Sequence, residues 1–483
     1  EQQGKTLHSR RSRRRTSSQR MWRASVLLAT FVHVAAARNC SNEALVEGKF
    51  HVEGCTLLNL TKSNIDDELA AVLAVVLSGN REIATLDLSK SLMSSKGAIV
   101  LGDALKVNNT ALKTINVDGF DLPVQQIKGT EPVEMLDFSR KRLRKLSAIL
   151  ISRLMQGNAV LKTLFIGSND ISGDAAQLLA TAALRSSSLE MLSGIPVKEI
   201  REDTLTELDL SQKGLGPTEA LVLSELLKTN EKLITLSLWW NALGYAGAKA
   251  ISEVLKVNEA LTKLNIGVNH IRHKGAIAIA KAIRSNTVLT SLDFSNNGMG
   301  HDGAKAFAKT LRVNSVLYDL NLMGNQLGAD GSSIIADALK GNVGLAQLTV
   351  SMNGIGPEGA KAMSRALRAN SALTFLDLSG NQIGDDGVAA IARSLKVNAV
   401  LATLDLSRNG IGDKGAAALA EELKENTVLT TLELRHNKIT DKDMETRLTA
   451  GLKHGHAEHI QTKLHYVVDP INIPPKDDLH DEL

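Results

Sequence analysis

Leu376-Asp377-Leu378-Ser379-Gly380-Asn381 is followed 28 residues later by Leu404-Asp405-Leu406-Ser407-Arg408-Asn409, and 28 further on by Leu432-Glu433-Leu434-Arg435-His436-Asn437. In each copy two Leu stand two apart, the spacing at which side chains leave the same face of an extended strand. The closing Asn recurs upstream at Asn353, Asn325, Asn297, Asn269 and Asn241, always 28 apart, with Lys213 in the slot one step earlier. An amide turned inward at the strand end carries a donor and an acceptor, so it suits backbone groups of neighbouring turns. A Gly-rich turn follows, as in Ile383-Gly384-Asp385-Asp386-Gly387, where Gly permits angles that a Cβ disfavours. Val388 to Leu395 is Ala-rich, with Ile391 and Leu395 four apart on one helical face.

The first apolar residue of the pair falls at Leu58, Leu86, Ile115, Leu136, Leu164, Leu192 and Leu208, then every 28 residues from Leu236 to Leu432, giving about 15 units in which 11 of the 14 gaps are 28. Each unit reads strand, turn, helix, loop, and none buries its apolar face alone. Strands stack ~4.8 Å apart and helices ~8–10 Å apart, so the array bends with strands inside. The expected fold is an α/β leucine-rich-repeat solenoid, a horseshoe with a concave parallel sheet and convex helices. The pattern over residues 55–455 resembles the ribonuclease-inhibitor-like subclass of leucine-rich repeats, also found in NOD-like receptors and Ran GTPase-activating proteins. That resemblance implies the fold and a binding role, without naming a partner. No G-x-x-x-x-G-K-[ST] loop occurs, so the nucleotide-binding half of a NOD-like receptor is missing from the sequence.

Aromatic residues make up only 3% of the chain, which fits thin layers filled by small aliphatic side chains. The net charge of +4 hides an asymmetry: residues 1–37 hold eight Lys or Arg against Glu1, a local +7 that leaves −3 for the rest. Met21-Trp22-Arg23, the apolar run Ala24 to Val34 and Ala35-Ala36-Ala37 have the layout of a secretory signal peptide, so residues 1–37 read as a processed leader rather than a nucleic-acid arm. At the other end His480-Asp481-Glu482-Leu483 matches a receptor-read signal for return to the endoplasmic reticulum. Cys40 and Cys55, the only cysteines, are placed to close a disulfide loop in an N-terminal cap at 38–56. Sequons begin at Asn39, Asn59 and Asn108. No later segment is apolar enough to span a bilayer. A luminal glycoprotein of the endoplasmic reticulum is therefore expected, with the solenoid at 57–455, a tail at 456–483 and the retrieval receptor as one partner. The competing reading is a cytosolic regulator or sensor, in which both end signals are accidental.

Two gaps in the array are short, and both contain one phrase: Leu122-Pro123-Val124-Gln125-Gln126-Ile127-Lys128 and Ile195-Pro196-Val197-Lys198-Glu199-Ile200-Arg201. Pro and charge there predict irregular units near 120–135 and 193–205 without a helix, thinning the convex wall.

On the concave face the middle residue of L-x-L forms a polar, acidic stripe that includes Asp209, Asp293, Asp377, Asp405 and Glu433. Trp239 and Trp240 interrupt it, and Val268, Met323, Met352 and Phe375 follow on nearby units. Alternation predicts that Trp239 projects from the face, whereas Trp240 packs under the next loop if it is structural. These six residues are the candidate partner-binding site, because large apolar side chains gain most when a partner removes them from water. His454, His456 and His459 have a metal-like spacing but lack the remainder of a zinc site, and the Asp stripe lacks the clustered loop of a calcium site. No nucleophile triad or C-x-x-C pair appears, so neither an enzyme nor a cofactor is expected.

Overall fold

The computed structural model describes residues 38–46, 48–107 and 111–451. The expected leader, Asn108, His454, His456, His459, the tail and the retrieval signal His480-Asp481-Glu482-Leu483 lie outside the described residues. The chain falls into two compact units, which divide between Ser193 and Gly194, inside the second irregular stretch.

In the first unit, strands Arg38–Cys40, Cys55–Asn59, Thr85–Asp87 and Thr114–Asn116 pair in parallel in that order. The strand Asp121–Pro123 then turns back antiparallel on Thr114–Asn116. A second parallel set follows, formed by Met135–Asp137, Thr163–Phe165 and Met191–Leu192. The first short phrase therefore ends one sheet with a hairpin. It also forms a five-residue helix, Val124–Lys128, with Pro123 at its N-cap, so the expectation of no helix there is corrected. Proline is tolerated at a helix start because the N–H it lacks has no partner within the helix. The second phrase likewise forms a five-residue helix, Val197–Arg201, which corrects the same expectation there. At the first phrase the helical wall does not thin either. Helix Ser95–Val107 packs directly on Lys145–Leu154, with Lys106 Nζ donating to Gln156 at 3.0 Å and Arg153 beside Asp103 at 3.7 Å. Lys128 donates to the carbonyl of Leu105 at 2.9 Å, near the end of the helix it neighbours, and burial holds its ammonium pKa below the ordinary value.

The second unit contains a nine-stranded parallel sheet running from Glu207–Asp209 to Thr431–Glu433. Its register places each Leu opposite the Leu 28 residues on, from Leu208↔Leu236 to Leu404↔Leu432. Helices from Pro217–Leu227 to Met444–Gly451 pack each on the next along the other side. Between the two walls lie the Leu, Ile and Ala side chains, almost all fully buried.

Two Asn ladders stitch the layers. Asn325 is fully buried; its amide donates to the carbonyls of Phe294 and Leu322 at 2.8 and 3.1 Å, and its Oδ1 accepts from Asn297 and Met299 N–H at 3.1 and 3.3 Å. The same bonds recur at the other strand-end Asn, so the inward turn expected from sequence is present. A second ladder, Asn230 through Asn426 at the same spacing, joins helix ends to the next strand. In it Asn258 donates to Leu227 and Asn230 carbonyls at 2.8 and 2.9 Å and accepts from Ala260 and Leu261 N–H at 3.0 and 2.8 Å. These amides satisfy backbone groups that would otherwise be buried without partners.

Helix spacing rests on a column of glycines six residues after the strand-end Asn. A Cβ on Gly303 would lie 2.7 Å from Met299 Cβ and 3.1 Å from Ala276 Cβ on the preceding helix, and Gly247 meets Ala220 in the same way. Glu219 occupies this column at the start of the second unit, after the five-residue helix Val197–Arg201. It is buried, its Oε2 accepting the N–H of Gly216 at 2.8 Å while Oε1 has no partner among the described residues. Burial raises its pKa above the ordinary carboxylate value, and the N–H bonds to Glu219 and Gly216 offset this only in part. A folded-state pKa above the unfolded one disfavours the charged form in the fold. The group's contribution to stability is then full below the unfolded value and is lost as pH rises through the folded value. The stability of Glu219→Gln relative to the parent should therefore rise between mildly acidic and neutral pH, as read from urea midpoints across that range. A flat difference would contradict the burial assignment.

Candidate functional site

The sheet face away from the helices is lined by the residues flanking each buried Leu. In the column after the first Leu stand Asp209, Asn265, Asp293, Asn321, Asp377 and Asp405, and each has a turn-forming role that the sequence reading did not assign. The side-chain oxygen accepts the N–H two residues on: Asp293 from Ser295 at 2.8 Å, Asp377 from Ser379 at 2.8 Å, Asp405 from Ser407 at 2.7 Å, Asn265 from Gly267 at 3.0 Å and Asn321 from Met323 at 2.9 Å. This is an Asx-turn, closing the strand before the chain swings toward the helix. The hydroxyl and N–H of Ser211 hold the Asp209 carboxyl below its ordinary pKa.

After the second Leu the strand ends, and so does the alternation. The residue immediately before the strand-end Asn takes a left-handed backbone, with φ of +55° at Trp240, +55° at Val268 and +53° at Met352. That reversal sends Trp240 and Met352 outward, 57% and 54% exposed, while Trp239 is half-buried. The exposure expected of Trp239 thus belongs mainly to Trp240, which does not pack under the following loop. Trp239 lies across Gly267: a Cβ there would sit 3.1 Å from Trp239 Cδ1, 3.0 Å from Asp293 Oδ1 and 2.6 Å from Ser295 Oγ. Trp239 and Trp240 meet edge to face, with centroids 5.3 Å apart. Met352 lies over Gly380 in the same manner, its Cγ 3.2 Å from a Cβ built there. Large residues answered by Gly one unit later were a readable signal that the sequence reading missed.

The six candidate residues all belong to the second unit but to three columns. Trp239 and Met323 share one, Trp240, Val268 and Met352 the next, and Phe375 opens its strand, half-buried between Gln347 and Thr403. They form a broken apolar track within an acidic face rather than one pocket. Tyr245 and Tyr318 are further exposed aromatics in this unit.

Elsewhere, Cys40 and Cys55 are joined, with Cα atoms 5.7 Å apart. Asn39 and Asn59 are exposed, and Asn59 Oδ1 accepts from Thr61 N–H at 3.0 Å. Among the described residues, no group of three or more His, Cys, Asp or Glu is placed to hold a metal ion, and no helix is long and apolar enough to cross a membrane.

No curated protein matches the chain. Among solved structures it is similar to the actin-binding site 2 of leiomodin-1 (21% identity, 37% of this chain and 86% of that one, TM-score 0.26). It is similar to an internalin from Listeria monocytogenes (18% identity, 69% and 88%, TM-score 0.35). It is also similar to the tropomodulin C-terminal domain of Caenorhabditis elegans (13% identity, 31% and 90%, TM-score 0.28). A model described as Leucine Rich repeat matches residues 229–252, 257–280, 285–308, 345–364, 369–392, 397–420 and 425–446. These seven stretches are leucine-rich repeats, and the strand, turn and helix units that contain them build an α/β leucine-rich-repeat solenoid.

Proposed function

We propose that the protein is a non-enzymatic scaffold or inhibitor of the endoplasmic reticulum lumen that binds another protein on the sheet face of its second unit. Leucine-rich-repeat proteins commonly bind other proteins. The observation that carries the choice of face is the outward placement of Trp240 and Met352, with Trp239 and Met323 in the adjoining column, on a sheet whose other outward residues are mostly polar or charged. Exposed aromatic side chains on a rigid sheet lose little entropy when covered, and the flexible thioether of Met moulds to a partner's surface, which is the character of binding hot spots. The luminal assignment is supported by the leader-like residues 1–37, the terminal His480-Asp481-Glu482-Leu483 and the joined Cys40 and Cys55, which suit an oxidising compartment. The retrieval receptor would be read by the tail, and Asn39, Asn59 and Asn108 would carry immature glycans.

Expression of the full chain in cells tests both parts. Sensitivity to a glycosidase that removes only immature glycans, with secretion once residues 480–483 are deleted, is the expected outcome for the compartment. Trp240→Ala with Met352→Ala should weaken co-purification of the bound protein by roughly tenfold or more, since truncating a hot-spot residue typically costs about 2 kcal/mol. An unglycosylated cytosolic chain would instead favour a cytosolic regulator.

A further inference from the structure

We infer that the partner presents a basic segment, with Lys or Arg side chains and at least one large apolar side chain, to the sheet face of the second unit; this rests on the binding role proposed above. The turn at each strand end needs only an oxygen acceptor, and Asn265 and Asn321 supply it as well as Asp does. The charge on Asp209, Asp293, Asp377 and Asp405 is therefore surplus to the fold. Register sets Asp377, Asp405 and Glu433 side by side on three successive strands, roughly 4.8 Å apart. Among the described residues of these strands and their end turns the bases are Lys213, Lys263, Arg408 and Arg435; Lys213 lies near Asp209, and Arg435 is already paired with Glu433 at 2.8 Å. Glu207, Asp209, Asp293, Asp319, Asp377, Asp405 and Glu433 on the same strands outnumber these bases, so the face keeps an excess of negative charge, centred on Asp293, Asp377 and Asp405.

The aromatic pair is built into that charge. Trp239 Cδ1, Asp293 Oδ1 and Ser295 Oγ close together over the buried Gly267, so an indole and a carboxylate stand side by side on the face. A guanidinium or ammonium approaching this pair from solvent meets the ring of Trp239 and the carboxylate of Asp293 together, combining cation–π attraction with an ion pair. Trp240, exposed next to Trp239, offers a contact for an apolar side chain beside the cation, and Met352, four strands further along the sheet, offers a second one to a longer segment. An anionic partner would face repulsion along the same columns, which excludes nucleic acid and acidic peptides from this face.

A random short-peptide library displayed on phage and selected on the immobilised full chain reads this directly. The expected result is enrichment of peptides with a clear excess of Lys and Arg and a large apolar residue. That enrichment should fall about tenfold in the Asp293→Asn, Asp377→Asn, Asp405→Asn triple variant, and also in Trp239→Ala. The Asn variant keeps each turn bond, and an unchanged melting curve checks that it folds. Enriched peptides without a cationic excess that still require Trp240 would overturn the charge assignment and leave the binding face standing. Enrichment indifferent to both the carboxylates and the tryptophans would overturn both.

Discussion

Asn325→Ala is expected to destabilise the second unit by about 4 kcal/mol, because the buried N–H groups of Asn297 and Met299 lose their acceptor, each such loss costing about 1–3 kcal/mol before relaxation, while the carbonyls of Phe294 and Leu322 keep the amides of Asn297 and Asn353. For a unit of this size the melting temperature should drop by on the order of 10 °C. Thr287→Ala, at an exposed loop position, should change stability by no more than about 0.5 kcal/mol. Thermal and urea unfolding of the full chain read both. A small effect at Asn325 would mean that water replaces the amide and that the ladder is not what satisfies the strand ends.

Gly303→Leu should be nearly as damaging. The helix Gly300–Leu311 approaches its predecessor closely enough that even a Cβ meets Ala276 at 3.1 Å. A Leu side chain has no space there without parting the two helices, and overpacking of this kind costs about 1–3 kcal/mol, or more where two packed walls must separate. Gly303→Ala should cost less, about 1–2 kcal/mol, since the better helix propensity of Ala, worth about 1 kcal/mol, offsets only part of the crowding against Met299 Cβ at 2.7 Å. The contrast between the two variants, measured by urea midpoint, separates packing from backbone freedom. Glu219 shows that the column tolerates a larger side chain where the preceding helix is the short Val197–Arg201.

The Leu pairs and the Asn between Asn241 and Asn437 made the strands, the register and the first ladder legible from sequence, because a strict period leaves one way to stack such units. The second ladder, Asn230 to Asn426, has the same period, but an Asn ahead of a strand looks like any loop residue until the carbonyls it reaches are in place. Trp240 was misjudged for a local reason. Alternation holds only through Leu238, after which the left-handed φ at residue 240 reverses the direction of the side chain. The Asp stripe read as surface polarity because an Asx-turn depends on backbone direction, which composition does not carry. The short phrase around Pro123 gave the break in the repeat but not the hairpin it makes with Thr114–Asn116, since antiparallel return is a matter of tertiary pairing.

Site-specific photocrosslinking in cells bears most directly on which face binds. A photoreactive residue in place of Trp240 on the sheet side should yield a covalent adduct with another protein, and one in place of Lys309, exposed on the helical side, should yield none. Adducts from position 309 and not from position 240 would contradict binding by the sheet face.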